Sequence, residues 1–430
     1  MGFNGVKRMR TRPRGELIAA LDVGSTKVVC FIARADDEGR PLVIGIGHQI
    51  SRGLRSGVVV DMEAAEKAIG HAVSSAEQMA GEQIREVVVN VVGGHLSSQI
   101  VGVELPIAGH AVSESDLRRA TKINGRLRLP AECEIVHTIP VGYAIDGSRG
   151  IRDPRGMLGN HLGVELHVIS AGAAALRNLT TCINRCHLEV DAVVASPYAA
   201  GLACLVEDER DLGCTIIDMG GGTTGIGVFS EGRLVFADCI PIGGSHVTND
   251  VARGLTTPLL HAERMKTLHG HAIPSLSDDR ELIDAPQVGE DPPSRANHVP
   301  KSLLTGIIRP RLEEVFEMVR GRLEDSGFDK ISGRRVVLAG GGSQLHGVRE
   351  LAQMILDKQV RLGRPIGIEG LAEATGGPAF ATAAGLLTLA ARHRTDPVLA
   401  GVMAGGDVAE PGHGLWHRLG GWFRENLGDF

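Results

Sequence analysis

The chain has 430 residues, 43% apolar and 22% charged, with a net charge of −6. This is material for roughly two to four domains with ordinary cores, and the acidic balance excludes a nucleic-acid binder as the overall reading. No apolar run reaches bilayer-spanning length: AFATAAGLLTLAA at 379–391 has the length of a buried core helix, and no secretory signal opens the chain. The seven cysteines show no zinc-type pairing, and Cys182 and Cys186 are too far apart for a CxxC site, so free thiols in a reducing cytoplasm are expected.

Residues 1–15 form an acid-free basic arm with Lys7, Arg8, Arg10, Arg12 and Arg14, expected to be a solvated, disordered terminus. LIAALDVGSTKVVCFIARA at 17–35 follows, with two β-rich runs around a polar turn that predict a hairpin. IREVVVNVVGGHLSSQIVGVELPI at 84–107 holds two further β runs, also of hairpin type. SESDLRRATKIN at 113–124 predicts a helix, with Ser113 and Asp116 in capping-box spacing, and residues 133–146 and 163–171 return to strand. At 214–229, CTIIDMGGGTTGIGVF repeats the first hairpin's grammar of apolar strand, Asp, glycines, hydroxyls and apolar strand. Two such units far apart predict two similar halves facing each other. Residues 269–300 are polar and Pro-rich and predict an irregular loop; RVVLAGGGSQLHGVRELAQMI at 335–355 predicts a strand, a glycine turn and an amphipathic helix.

Glycine lets backbone N–H groups approach phosphate oxygens, and Ser or Thr hydroxyls add donors. Gly24, Ser25, Thr26 and Lys27 in the first turn, and Gly220, Gly221, Gly222, Thr223 and Thr224 in the second, are therefore candidates to grip the two sides of a polyphosphate. Asp22 and Asp218 end the strands leading into those turns, where they would hold a magnesium ion directly or through its waters. Gly340, Gly341 and Gly342 leave bare backbone that suits a flat base or sugar. A tight-turn role is the plain alternative for each cluster taken alone.

Together these clusters resemble the nucleotide site of the actin, Hsp70 and sugar-kinase superfamily: phosphate motifs at 21–27 and 217–224 and an adenosine motif at 338–347. The resemblance implies an α/β actin-like ATPase fold that binds ATP and Mg2+. It also implies that Glu263 and Lys266, one helical turn apart in HAERMK, reach the ribose and adenine; an ordinary surface ion pair is the alternative. SRGLRSGVVVDMEAA at 51–65, YAIDG with GIRDPRGM at 143–157 and EDERDLGCTIIDMGGGT at 207–223 are similar to the FtsA family of actin-like bacterial division proteins. That family carries a small α+β insert, 1C, in place of the second subdomain of actin. The implied division is 1A at 16–84, 171–200 and 370–394, 1C at 85–170, 2A at 201–250 and 331–369, and 2B at 251–330. Two positions depart from hydrolysing relatives: Ser196 and Pro197 stand where a Gln or Glu orients water, and Gly225 stands where an acid often follows the threonines. Nucleotide binding with at most weak ATPase activity is implied.

Residues 395–412 read as a flexible linker, and 413–430 as an amphipathic helix. At about 100° per residue, Leu415, Trp416, Leu419, Trp422, Phe423, Leu427 and Phe430 fall within an arc of about 140°, with Arg418 and Arg424 on the other side. This is the pattern of a helix lying in a lipid headgroup layer, and the family resemblance implies the same membrane-targeting role. The resemblance further implies self-assembly into protofilaments, later division proteins as partners, and contact of 2B with the C-terminal peptide of the tubulin-like protein FtsZ at the septum, on the cytoplasmic face of the inner membrane. Arg309 and Arg311, in IIRPRLEEVFEMVRGRLED at 307–325, are candidates for that acidic peptide; a solvated helix face is the alternative. A PilM-like pilus-assembly protein and a sugar-kinase-type phosphotransferase are alternative functions; the tail weighs against both.

Overall fold

Both expected strand–turn–strand units form in the computed structural model of the chain, which describes residues 17–36, 40–121, 129–130, 132–289 and 297–392. The basic arm, the linker and the amphipathic tail lie outside those residues. β1 (Leu17–Val23) and β2 (Lys27–Ala35) pair antiparallel, and β3 (Pro41–Ile50) extends the ladder beside β2. A short hairpin of β4 (Leu54–Arg55) and β5 (Val58–Val59) leads to α1 (Met62–Ala80), whose N-cap Asp61 accepts a hydrogen bond from the Ala64 amide and whose left-handed Gly81 ends it.

The hairpin expected over 84–107 does not form. β6 (Glu86–Val91) runs parallel to β1 inside the first sheet, and β7 (Ser97–Pro106) belongs to another sheet. Its physical reason is burial: five of the six β6 residues are buried, as a central parallel strand requires, whereas β7 alternates as a strand with one open face does. The insert's sheet thus starts at Ser97. It continues through α2 (Glu114–Thr121), β8 (Cys133–Ile145), β9 (Ser148–Ile151) and β10 (His161–Gly172), in the order β7-β10-β8-β9. Ser113 and Asp116 do form the reciprocal cap of α2: the Ser113 amide donates to Asp116 Oδ2 at 3.0 Å and the Asp116 amide to Ser113 Oγ at 3.4 Å. The Ser113 hydroxyl, donating to Asp116 Oδ2 at 2.6 Å, and then the Ser113 amide depress the Asp116 carboxyl to about 2.

The chain returns through α3 (Ala173–Arg185) to β11 (Glu189–Ala195), which completes a five-stranded sheet ordered β11-β6-β1-β2-β3. After α4 (Ser196–Cys204) and α5 (Glu207–Leu212) come β12 (Cys214–Met219), β13 (Thr224–Ser230) and β14 (Arg233–Ile240), then α6 (Gly244–Gly254) and α7 (Leu259–His269). Residues 270–289 are mostly turns, but β15 (Leu282–Asp284) and β16 (His298–Pro300) make a two-stranded ladder where only loop was expected. α8 (Lys301–Ser326), β17 (Arg335–Ala339), α9 (Val348–Leu356), β18 (Gln359–Leu362) and α10 (Ala381–Arg392) finish the described chain. The second sheet is ordered β14-β13-β12-β17-β18, with the same mix of antiparallel and parallel neighbours as the first. Two copies of one topology therefore face each other, as the repeated grammar predicted.

α4 and α10 fill the space between the sheets. Every residue of α4 is buried, as is every residue of α10 except Arg392. Their axes come so close that a β-carbon on Gly385 would overlap the Ala199 carbonyl. Small residues at the crossing let the backbones touch, which is why this alanine-rich helix, with little amphipathy, is a core element. All seven cysteines are unpaired thiols. No helix among the described residues is long and apolar enough to cross a membrane.

Candidate nucleotide site

Asp22 and Asp218, 7% and 8% exposed, are the penultimate residues of β1 and β12, and each strand hands the chain to a tight turn. The first turn is closed by the Gly24 amide donating to the Lys27 carbonyl at 3.0 Å, the second by the Gly220 amide donating to Thr223 at 2.9 Å. The turns meet across the cleft. A β-carbon on Gly221 would overlap Thr26 Cγ2, and one on Gly222 would sit 2.5 Å from Ser25 Oγ. The second turn is glycine because the first turn's side chains occupy its space. Thr224 lies beneath, with its hydroxyl donating to the Ile242 carbonyl at 2.8 Å, so it supports the turn from below; Thr223 is likewise buried.

Burial pushes the Asp22 carboxyl up to about 7, with Lys27 opposing and Asp218 adding to the shift. Burial raises Asp218 to about 6, opposed by the Thr382 hydroxyl, which donates to Asp218 Oδ2 at 3.0 Å, and by Lys27. The Lys27 ammonium is itself lowered by burial; it donates to the Ala379 carbonyl and lies 3.8 Å over the Phe380 ring. One partly satisfied cation thus faces two buried carboxylates. The donor set fits a hard divalent ion, which takes one or two carboxylates and completes its shell with phosphate oxygens and water. Among the described residues no cluster of three or more His, Cys, Asp or Glu side chains could hold a metal alone, so such an ion would need the phosphates.

Gly340, Gly341 and Gly342 follow β17, which runs parallel to β12. Gly340 and Gly342 press on the Met219 backbone, where a β-carbon at either would collide, and this packing accounts for both glycines. Only Gly341 has open space before it, its nearest neighbour being Ala379 Cβ at 4.0 Å. Glu263 and Lys266 lie on α7, with Lys266 Nζ 2.7 Å from Glu263 Oε2 and donating also to Thr248 Oγ1 at 2.8 Å and the Gly244 carbonyl at 3.2 Å. Because the Gly244 amide donates to the Gly220 carbonyl at 2.9 Å, this pair adjoins the second turn.

Two positioning residues escaped the sequence reading. Thr382 is one. Asn90 is the other, its Oδ1 accepting from the Val23 amide at 2.7 Å and its Nδ2 donating to Ser196 Oγ at 3.1 Å, so that it ties the first turn's entry to α4. A lone amide among valines in EVVVNV was the available signal. The two departures from hydrolysing relatives meet in space, since a β-carbon on Gly225 would stand 3.3 Å from Pro197 Cδ. Ser196 is occupied as well, its hydroxyl donating to the Val91 carbonyl at 3.2 Å.

Arg309 and Arg311 are on α8, away from the turns, and both are paired. Arg309 Nε donates to Glu313 at 2.7 Å, and Arg311 Nε to Asp250 at 2.6 Å with Glu314 also in contact. Each guanidinium thus already has a carboxylate partner on α8 or beside it.

Duplicated five-stranded sheets, facing phosphate-type turns and a small antiparallel insert define an actin-like ATPase fold. Solved structures agree: the PilM-PilN type IV pilus biogenesis complex aligns with a TM-score of 0.62 at 18% identity, over 88% of this chain and 99% of that one. MreB5 of Spiroplasma citri bound to ADP aligns with a TM-score of 0.52 at 15% identity, over 87% and 95%. The family described as cell division protein FtsA matches residues 215–385, and the SHS2 domain inserted in FtsA matches 93–170. The cell division protein FtsA of Rhizobium meliloti is 45% identical over 98% of both chains, and that of Pseudomonas aeruginosa 35% identical over 96% of this chain and 99% of its own. The chain belongs to the FtsA family of bacterial cell-division proteins.

Proposed function

We propose that the protein binds ATP with Mg2+ between the two turns, assembles into actin-like filaments, and tethers FtsZ to the inner membrane during division. The observation that carries the nucleotide step is the interlock of Ser25 and Thr26 with Gly221 and Gly222 above the buried pair Asp22 and Asp218. Gly24, Lys27, Gly220, Thr223 and Thr224 shape or support the turns. Glu263, Lys266 and Gly341 line the side on which a base and ribose would lie; Gly340 and Gly342 hold the backbone there. Magnesium would supply charge neutralisation between phosphate oxygens, with the two aspartates as its protein ligands.

Hydrolysis is slow on this reading. Ser196 and Pro197, which occupy the water-positioning place, are a hydrogen-bonded hydroxyl and a packed ring. Membrane attachment rests on the sequence of 413–430. The large apolar side chains Leu415, Trp416, Leu419, Trp422, Phe423 and Leu427 each contribute up to roughly 1.5–3 kcal/mol on full transfer, more than Arg418 and Arg424 gain from anionic lipid at about 1 kcal/mol each. Contact of an acidic FtsZ peptide with Arg309 or Arg311 requires exchange of the Glu313, Glu314 and Asp250 partners. One experiment tests the whole: co-sedimentation with liposomes and ATP, with and without FtsZ. Full-length protein should pellet and carry FtsZ with it, and a chain ending at Pro411 should leave both in solution; equal pelleting of the two chains would defeat the anchor.

A further inference from the structure

We propose that the hairpin tip Ser56-Gly57 is a third wall of the polyphosphate site and, with Arg52 and Arg55 of the same hairpin, sets a preference for nucleoside triphosphate over diphosphate. The inference rests on the nucleotide reading above and extends it to a segment that reading leaves without a role. β4 and β5 pair with Leu54 opposite Val59 and Arg55 opposite Val58, which leaves a two-residue loop. Ser56 and Gly57 both have positive φ, +47° and +74°, the tight geometry of a type I′ turn.

This hairpin is bolted to the first phosphate turn at both ends. At its root the Ser51 amide donates to the Thr26 carbonyl at 3.0 Å, and at its tip the Gly57 amide donates to Ser25 Oγ at 2.9 Å. It also reaches the second turn, because the position a β-carbon on Gly222 would take is 2.9 Å from the Ser56 nitrogen. Three backbones therefore converge on one spot.

The chemistry of that spot suits a terminal phosphate. The Gly57 N–H occupies one lone pair of Ser25 Oγ, which leaves the hydroxyl proton free to donate elsewhere. The Ser56 N–H makes no hydrogen bond among the described residues. Arg55 adjoins the tip and Arg52 the root; both are exposed, and neither side chain makes an ion pair or hydrogen bond among the described residues, although many surface arginines of this chain are paired. Convergent N–H and O–H donors with nearby guanidinium charge form a nest for a dianion. The terminal phosphate is the part of the ligand that a diphosphate lacks, so loss of this charge weakens triphosphate binding selectively.

Calorimetric titration of the full chain with MgATP and with MgADP tests this. Replacing both arginines (Arg52→Ala with Arg55→Ala) should lower ATP affinity about tenfold and ADP affinity less than about twofold, with the thermal midpoint unchanged. The conservative pair Arg52→Lys with Arg55→Lys should recover most of the ATP affinity. Equal losses for the two nucleotides, or no loss for either, would overturn the assignment while leaving the nucleotide site standing. If the unaltered chain bound neither nucleotide, the site itself would fall and this inference with it.

Discussion

The two facing turns have the same grammar and opposite composition. The first keeps side chains, Ser25 and Thr26, and spends one glycine; the second keeps almost none and spends three. Their contact explains the difference, since each methyl or hydroxyl on one side needs a vacancy on the other. A glycine run in such a fold thus serves the opposing loop as much as a ligand. The ladders behind the turns differ in the same sense: Asp22 is paired across its hairpin with Val29, Asp218 with Gly225. The second hairpin gives up a side chain there because Pro197 of α4 covers it.

The interlock is broken most severely at Gly221. Gly221→Val should abolish ATP binding by about a hundredfold or more, as overpacking against Thr26 forces the turns apart. Adding Thr26→Gly should restore part of that loss, measured as a non-zero coupling energy in a double-mutant cycle. Additive losses would mean that the two residues do not share a space.

The paired aspartates give the next largest effect. Their folded values, about 7 and about 6, lie above the ordinary aspartate value of 3.8. The ligand-free protein therefore holds protons that the unfolded chain has lost. Stability falls as pH rises from about 4, and the cost is complete above about 7. Asp22→Asn should stabilise the ligand-free protein at pH 8 by on the order of 2–4 kcal/mol and leave it nearly unchanged at pH 4, as chemical denaturation at the two pH values would report. Binding of MgATP at pH 6 should release protons, seen as a calorimetric enthalpy that depends on buffer ionisation, and Asp218→Asn should reduce the release.

The smallest effect sharpens the ladder contrast. Gly225→Asp should cost about 1–3 kcal/mol by pressing on Pro197, and Pro197→Ala should recover most of it. A fully tolerated Gly225→Asp in the parent background would show that Pro197 does not explain the glycine.

Most of the two-sheet architecture was legible because its signals are local: an apolar strand, an acid, a turn, a strand. The duplicated hairpins, the α2 cap and the buried α10 segment could be read from spacing alone. β6 could not, because a parallel strand and one arm of a hairpin share the same valine-rich pattern, and only long-range pairing with β1 separates them. The two turns and the aspartates before them were readable, whereas Thr382 reaches Asp218 from 164 positions away and carries no local mark. The paired state of Arg311 was hidden for the same reason: its partner Asp250 is 61 residues upstream on α6. Gly340 and Gly342 looked like ligand glycines because packing and ligand approach make the same demand on a side chain.

The position of α10 also fixes when the molecule can become whole. It is the wedge between the two sheets, yet it is among the last described segments to leave the ribosome, following β1 by 375 residues (17 to 392). From the end of α4 at Cys204 to Arg392 are 188 residues, so at about 5–20 residues per second the face of α4 that receives it stays bare for on the order of 10–40 seconds of synthesis. Gly385 and Ala199 can then meet only once α10 has been made. A product cut short before Ala381 would keep an open apolar seam, the kind of surface that chaperones and proteases recognise, so synthesis through Arg392 doubles as a check on assembly.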